Sequence, residues 1–206
     1  MKIGIIGYGS FGKQIQNYLR CENNKLKYLV FDDTITDQNI YPFENYIEFI
    51  DNEFLNEFYI GLGYKNLTYK NKIIDNIPAK KLPYFIHDTV YCNKTSEIGC
   101  GTFIFPNVSI DSCVKIGRGV VLNISTVVCH DSVIGDCCFF APSVTICGNV
   151  NVGKNCFIGA GSIITNGITI GDNVMIGAGT IVTNNIQSNE RIIGNPMRKV
   201  KKITLN

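Results

Sequence analysis

Ile116-Gly117-Arg118-Gly119-Val120-Val121-Leu122-Asn123-Ile124-Ser125-Thr126-Val127-Val128-Cys129-His130-Asp131-Ser132-Val133-Ile134-Gly135 is the stretch on which the fold turns. Every sixth residue in it (Ile116, Leu122, Val128, Ile134) is large and apolar. Four places after each of the first three stand Val120, Thr126 and Ser132, all β-branched or small. The phase runs outward without an insertion from Ile98 to Val182, through Ile104, Ile110, Phe140, Ile146, Val152, Ile158, Ile164, Ile170 and Ile176. Glycine directly follows Ile98, Ile116, Ile134, Val152 and Ile170, a spacing of 18 residues.

A period of six does not match a helix, which repeats at about 3.6 residues. A β-sandwich alternates residue by residue and varies its loop lengths, so it loses such a phase quickly. Three six-residue sides instead close a triangular coil of 18 residues. The large residue points into the prism and the small one fits the corner. Stacked coils pair each strand with the same strand one coil away. The glycine after the aliphatic residue suits a turn at positive φ. Ile86 and Cys92 keep the phase, so the repeat is expected over residues 86–185, with 186–206 as a tail.

The first 85 residues read differently. Lys2-Ile3-Gly4-Ile5-Ile6 is an apolar strand, Gly7-Tyr8-Gly9-Ser10-Phe11-Gly12 a glycine loop, and Lys13 to Leu19 a helix. A second strand, Tyr28 to Phe31, ends in Asp32-Asp33. Strand, G-x-G-x-x-G, helix, strand and acid is the order of a nucleotide-binding half-unit, whose glycines let the backbone approach a phosphate. The stretch is too short for two such halves, so half a Rossmann fold holding a nucleotide-linked sugar fits better than a whole dinucleotide. NAD(P) binding and a purely structural glycine turn remain alternatives. Tyr59-Ile60-Gly61-Leu62-Gly63 looks like a third strand ending in a glycine turn beside the same pocket, and Asn66 to Ile74 like a helix. Between Asp37 and Phe58 a loop with one short helix is expected, without chemistry.

Composition narrows the classes. A net charge of +2 gives no concentrated basic surface for nucleic acid. The N-terminal apolar run is too short for a signal peptide, no later stretch could span a bilayer, and a cytosolic protein is expected. The cysteines number nine, an odd count without a Cys-x-x-Cys pair, and read as thiols in a reducing compartment. Two histidines are too few for the three-histidine zinc site of a β-helical carbonic anhydrase. His87 falls at the junction before the prism, where a structural role is expected. His130, at an outward corner beside Asp131, has the form of a general base with a carboxylate to fix its tautomer. An exposed polar corner residue is the plainer alternative.

Resemblance adds to this. The glycine loop, Asp32-Asp33, the His87 junction, Val128-Cys129-His130-Asp131-Ser132-Val133-Ile134-Gly135 and the Gly194-Asn195-Pro196 tail resemble the bacterial sugar O-/N-acyltransferase family along essentially the whole chain. That family includes sialic-acid O-acetyltransferases and nucleotide-linked 4-amino-sugar N-acetyltransferases. The resemblance implies an α/β half-Rossmann domain followed by an all-β left-handed parallel β-helix, assembled as a homotrimer with active sites between subunits. It implies acetyl-CoA as co-substrate, no metal, and a nucleotide-linked sugar as acceptor. His130 would be the catalytic base, Asp131 its support, and the Gly148 N–H an oxyanion donor. Gly7, Gly9, Ser10, Asp32 and Asp33 would hold the nucleotide, and Asn123 would lie near the sugar. Gly148, Ala160 and Ala178 would line the pantetheine groove, and Arg191, Arg198, Lys199, Lys201 and Lys202 either meet the coenzyme A phosphates or stay solvated. Two departures stand out: Phe11 and Phe139 occupy positions where 4-amino-sugar members often carry histidine.

The activity expected is direct transfer of an acetyl group from acetyl-CoA to a sugar amine, without an acyl-enzyme on Cys129. O-acetylation of a sialic acid is the near alternative, and a non-catalytic prism the alternative of another class.

Overall fold

The computed structural model describes residues 1–34, 40–51 and 54–200, and the chain divides into two compact units, Met1–Pro83 and Tyr84–Asn206. In the first unit four parallel strands, β1 (Lys2–Ile6), β2 (Lys27–Phe31), β3 (Ile40–Tyr41) and β4 (Glu57–Ile60), lie in the order β3-β2-β1-β4. Ile3, Ile5, Ile6, Phe31 and Phe58 are buried to the last few per cent, as expected of a parallel sheet covered on its faces. Helix α1 (Ser10–Glu22) turns Gly12, Ile15, Gln16 and Leu19 inward, the spacing of one helical face, and runs longer at both ends than the sequence suggests. Helix α2 (Leu67–Asn76) follows a single 3₁₀ turn, Tyr64–Asn66.

The chain leaves β1 for β2 and β3, then returns to the other flank of β1 as β4. Such a reversal opens a crevice at the carboxyl ends of the strands. Strand β4 stops at Ile60, and the glycine turn that follows it meets the glycine loop at backbone contact. A Cβ on Gly61 would stand 2.2 Å from the Gly7 carbonyl oxygen.

The second unit is a parallel β-helix with three faces. One is built from Glu97–Ile98, Lys115–Ile116, Val133–Ile134, Asn151–Val152 and Thr169–Ile170. The second runs from Phe85–Ile86 through Val121–Leu122 to Met175–Ile176, and the third from Tyr91–Cys92 through Val127–Val128 to Ile181–Val182. Within the repeat the ladders pair residues 18 apart, such as Val128 with Ile146. The six-residue phase is the interior: Ile104, Ile110, Leu122, Val128, Phe140, Ile146, Ile158, Ile164 and Val182 are fully buried. Each such side chain stabilises by roughly 1.5–3 kcal/mol relative to exposure.

The corners correct one expectation. Positive φ falls not on the glycine after the aliphatic residue but two residues later, at Asn107, Cys113, Ser125, Asp131, Cys137, Ser143, Asn149, Asn155 and Asn173, or at glycine. Gly117 and Gly135 are glycines for another reason. A Cβ on Gly135 would lie 2.7 Å from the carbonyl carbon of Gly153 in the next coil. Buried corner hydroxyls tie coils together: Ser132 Oγ donates to Cys147 O at 3.0 Å and accepts Val150 N–H at 3.2 Å.

The described part of the expected tail, residues 186–200, packs on the prism. Ile186 bridges to Ile170, Arg191–Ile193 pairs in parallel with Met175–Ile176, and Arg198–Lys199 returns antiparallel on that strand. Ile186 and Ile192 continue the apolar interior past residue 185 and hold the segment there. Among the described residues the cysteines form no disulfide; Cys137, Cys138 and Cys156 are buried.

Candidate active site

Corners without proline leave one backbone N–H turned out of the ladder, two places after the inward residue. Side chains cap some of them: Asp111 Oδ1 accepts Ser112 N–H at 2.7 Å, Asn123 Oδ1 accepts Ile124 N–H at 2.8 Å, and Asp136 Oδ1 accepts Arg118 N–H at 2.8 Å. His130 and Gly148 occupy this place on successive coils of one edge, 18 residues apart. Gly148 has no such cap, and its N–H meets no acceptor among the described residues.

The His130 ring is oriented from both ends. Nδ1 lies 2.8 Å from Asp131 Oδ2, and Asp131 reaches it from a left-handed corner conformation with φ 58°. The carboxylate accepts a hydrogen bond from the Nδ1–H of the neutral ring, which leaves Nε2 as the acceptor. The Nε2 side of the ring rests on Gly148, where an added Cβ would be 2.6 Å from Nε2 and 2.7 Å from Cε1. An accepting nitrogen therefore sits beside an unpartnered backbone donor, on an edge half open to solvent. That combination can accept a proton from a nucleophile and meet a developing oxyanion.

Other residues singled out in the sequence fall as follows. Cys129 is half-buried, and burial, with Cys147 and Asp111 adding, pushes its thiol up, away from thiolate. Asn123 stands at the preceding corner of the coil, with Oδ1 engaged locally and its amide NH₂ unengaged among the described residues. Ala160 and Ala178 are exposed and stacked on Asn123's edge, joined by the bond from Gly179 N–H to Ala160 O at 2.8 Å. Phe139 is buried and lies 6.0 Å from Phe157, ring to ring. His87 Nδ1 lies 2.9 Å from Thr89 Oγ1 and 2.9 Å from Asp88 Oδ1 in its own corner. Arg191 and Lys199 line a cavity of about 390 Å³ with Asn173, Met175 and Asn189, where Glu190 pairs with Lys199. Lys201 and Lys202 lie outside the described residues.

In the first unit the crevice at the strand ends is a cavity of about 410 Å³. Gly7, Gly9, Asp32, Asp33 and Gly61 to Gly63 line it, with Thr34, Phe43, Asn66 and Tyr69. Gly12 and Gly61 are required by contact with Gly7, but a Cβ on Gly9 would meet nothing within 4 Å. Its bareness opens the backbone to the cavity. No side chain caps α1 at Gly9, so the dipole and first N–H groups of a 13-residue helix, beginning with exposed Ser10, face outward. Burial works to raise the Asp32 carboxyl, but hydrogen bonds from Thr34 and Tyr8 and the charge of Lys13 outweigh it and hold it below the ordinary value. The sequence reading missed Phe43, Asn66 and Tyr69. Phe43 belongs to the stretch expected to be a loop without chemistry, and its only local sign is an aromatic residue after Pro42.

Among the described residues no three His, Cys, Asp or Glu side chains gather as a metal ion requires, and no helix is long and apolar enough to cross a membrane.

Fold and site together define a hexapeptide-repeat β-helix preceded by an α/β unit with a glycine loop. Residues 149–184 match the family described as the hexapeptide repeat of succinyl-transferase. The acetyltransferase domain of PglB from Neisseria gonorrhoeae, solved with acetyl coenzyme A, matches at TM-score 0.86 and 21% identity, over 97% of this chain and 98% of that one. PerB from Caulobacter crescentus, solved with CoA and GDP-perosamine, matches at TM-score 0.86 and 23% identity, over 98% of each chain. WeeI from Acinetobacter baumannii matches at TM-score 0.81 and 26% identity, over 97% of this chain and all of that one. The two-unit architecture is thus that of solved acetyltransferases carrying the acyl donor or its coenzyme.

Proposed function

We propose that this protein is an acetyl-CoA-dependent N-acetyltransferase acting on a nucleotide-linked amino sugar, most specifically a 4-amino sugar, and that its β-helix is left-handed. The observation that carries the reading is the His130 imidazole, held by Asp131 through Nδ1 and presenting Nε2 beside the unpartnered N–H of Gly148. In this reading the sugar amine attacks the thioester carbonyl carbon. Nε2 takes the amine proton, the Gly148 N–H meets the carbonyl oxygen as it becomes an oxyanion, and coenzyme A leaves as the carbonyl reforms. Asp131 stabilises the imidazolium. The raised thiol of Cys129 speaks against an acyl-cysteine. Asn123 would contact the sugar, Ala160 and Ala178 the pantetheine, and Gly7, Gly9, Ser10, Asp32 and Asp33 would together form the nucleotide site. A homotrimer working in the cytoplasm completes the proposal. The PerB complex with GDP-perosamine favours an amine over a hydroxyl acceptor.

The test is release of coenzyme A, read with a thiol reagent. Acetyl-CoA is offered with UDP-, dTDP- and GDP-linked 4-amino sugars and, in parallel, with sialic acid. Turnover on an amino sugar is expected to fall by roughly two to four orders of magnitude in His130→Ala. Turnover on sialic acid alone would move the acceptor to a hydroxyl; no release with any acceptor would end the acyltransferase reading.

A further inference from the structure

A glycine-loop fingerprint gives the ribose to an acid about 20 residues on, at the end of the second strand. Counted from Gly12 that acid is Asp32. Its oxygens are already engaged: Oδ2 accepts Tyr8 N–H at 2.5 Å, and Oδ1 accepts the N–H and the hydroxyl of Thr34 at 2.7 and 2.5 Å. A carboxylate offers about four lone-pair positions, so the protein itself takes most of them. Because Tyr8 lies between Gly7 and Gly9, the bond to its N–H sets the shape of the glycine turn.

Asp33 is placed differently. It is exposed, lines the same cavity, and among the described residues accepts only the Phe43 N–H, through Oδ1 at 2.8 Å. Its Oδ2 is unengaged among those residues. Resting on the nucleotide-sugar reading above, we propose that the two acids divide the roles. Asp32 is a positioning residue that braces the glycine turn, and Asp33 accepts the ribose hydroxyls of a nucleoside diphosphate. The fingerprint acid is displaced by one residue because the first carboxylate is committed to the loop.

Calorimetric titration with UDP and GDP, each beside its 2′-deoxy counterpart, tests this on wild type, Asp33→Ala and Asp32→Asn, with thermal unfolding of each variant alongside. Wild type is expected to prefer a ribose form by about tenfold, the worth of a hydrogen bond to a charged group. Asp33→Ala should bind both forms alike, with Tm lowered only by the loss of the Phe43 N–H bond. Asp32→Asn should keep the preference, bind both forms more weakly and melt at a lower temperature. A preference surviving in Asp33→Ala, or lost in Asp32→Asn at unchanged Tm, overturns the assignment. Binding to wild type without any ribose preference sinks the assignment alone, whereas binding of neither diphosphate sinks the nucleotide reading with it.

Discussion

The His130 imidazole lies against Gly148 on the next coil of the prism, so closely that a Cβ there would stand 2.6 Å from Nε2. The contact can exist only because residue 148 has no side chain. Gly148→Ala keeps the backbone N–H but pushes the ring off its seat. A misplacement on the order of 1 Å can cost about 10²-fold in rate, so kcat should fall by about that factor. Steady-state kinetics check this, and the rate at which diethyl pyrocarbonate modifies His130, in a His87→Gln background, reports the displaced ring without turnover. Unchanged kinetics and unchanged modification would mean that the ring is not seated there.

Asp131→Asn separates orientation from charge. Asparagine adopts the left-handed conformation readily, so the corner at φ 58° is preserved, and its carbonyl oxygen can still accept the Nδ1 proton. Only the charge facing the imidazolium is lost. For a half-exposed pair that is worth about 1 kcal/mol or less, so kcat should drop roughly fivefold at low salt and by a smaller factor at high salt. A loss as deep as that of His130→Ala would assign Asp131 a larger part.

What the sequence discloses and what it hides follow from the same geometry. The interior is legible because one apolar residue in six cannot drift without meeting solvent, and Ile98 to Val182 never does. The corner conformations are not. Glycine after the aliphatic residue looks like a turn signal, whereas its cause is the backbone of the coil above. The true left-handed positions carry Asn, Ser, Cys, Asp or Gly, a mixture with no single letter to notice. His130 and Asp131 are legible as neighbours in sequence, but the contact with Gly148 spans a whole coil. In the first unit the glycine loop announces the cavity, while Phe43 and Tyr69 reach it from segments without a motif, their rings 5.7 Å apart.

Two glycine substitutions distinguish the two reasons for glycine in this prism. Gly135→Ala places a methyl group against the Gly153 carbonyl, and stacked backbone cannot rotate away as a side chain would. Overpacking of this kind costs about 1–3 kcal/mol. Gly161 has φ +66°, a Cβ there would meet nothing within 4 Å, and Asn107 shows that asparagine suits the same edge. Gly161→Asn should therefore shift stability by less than about 0.5 kcal/mol. Urea unfolding of both variants decides the point; equal losses would refute the distinction.

Asp136 ties stability to pH. Burial works to raise its carboxyl, but the Arg118 N–H at 2.8 Å, the Arg118 guanidinium at 2.9 Å and the charge of Lys154 outweigh burial and hold it below its ordinary value of 3.8. A group depressed in the folded state is protonated first in the unfolded chain. Its contribution is complete above the unfolded value and disappears as pH falls through the lower, folded one. Asp32, also depressed, acts in the same direction in the first unit. The urea midpoint of wild type should therefore fall between about pH 5 and about pH 3. Asp136→Asn should start lower at neutral pH, because Arg118 loses its counter-charge, and then decline less steeply on acidification. Parallel pH profiles for the two proteins would show that the Arg118–Asp136 pair is as strong in the unfolded chain as across the coils.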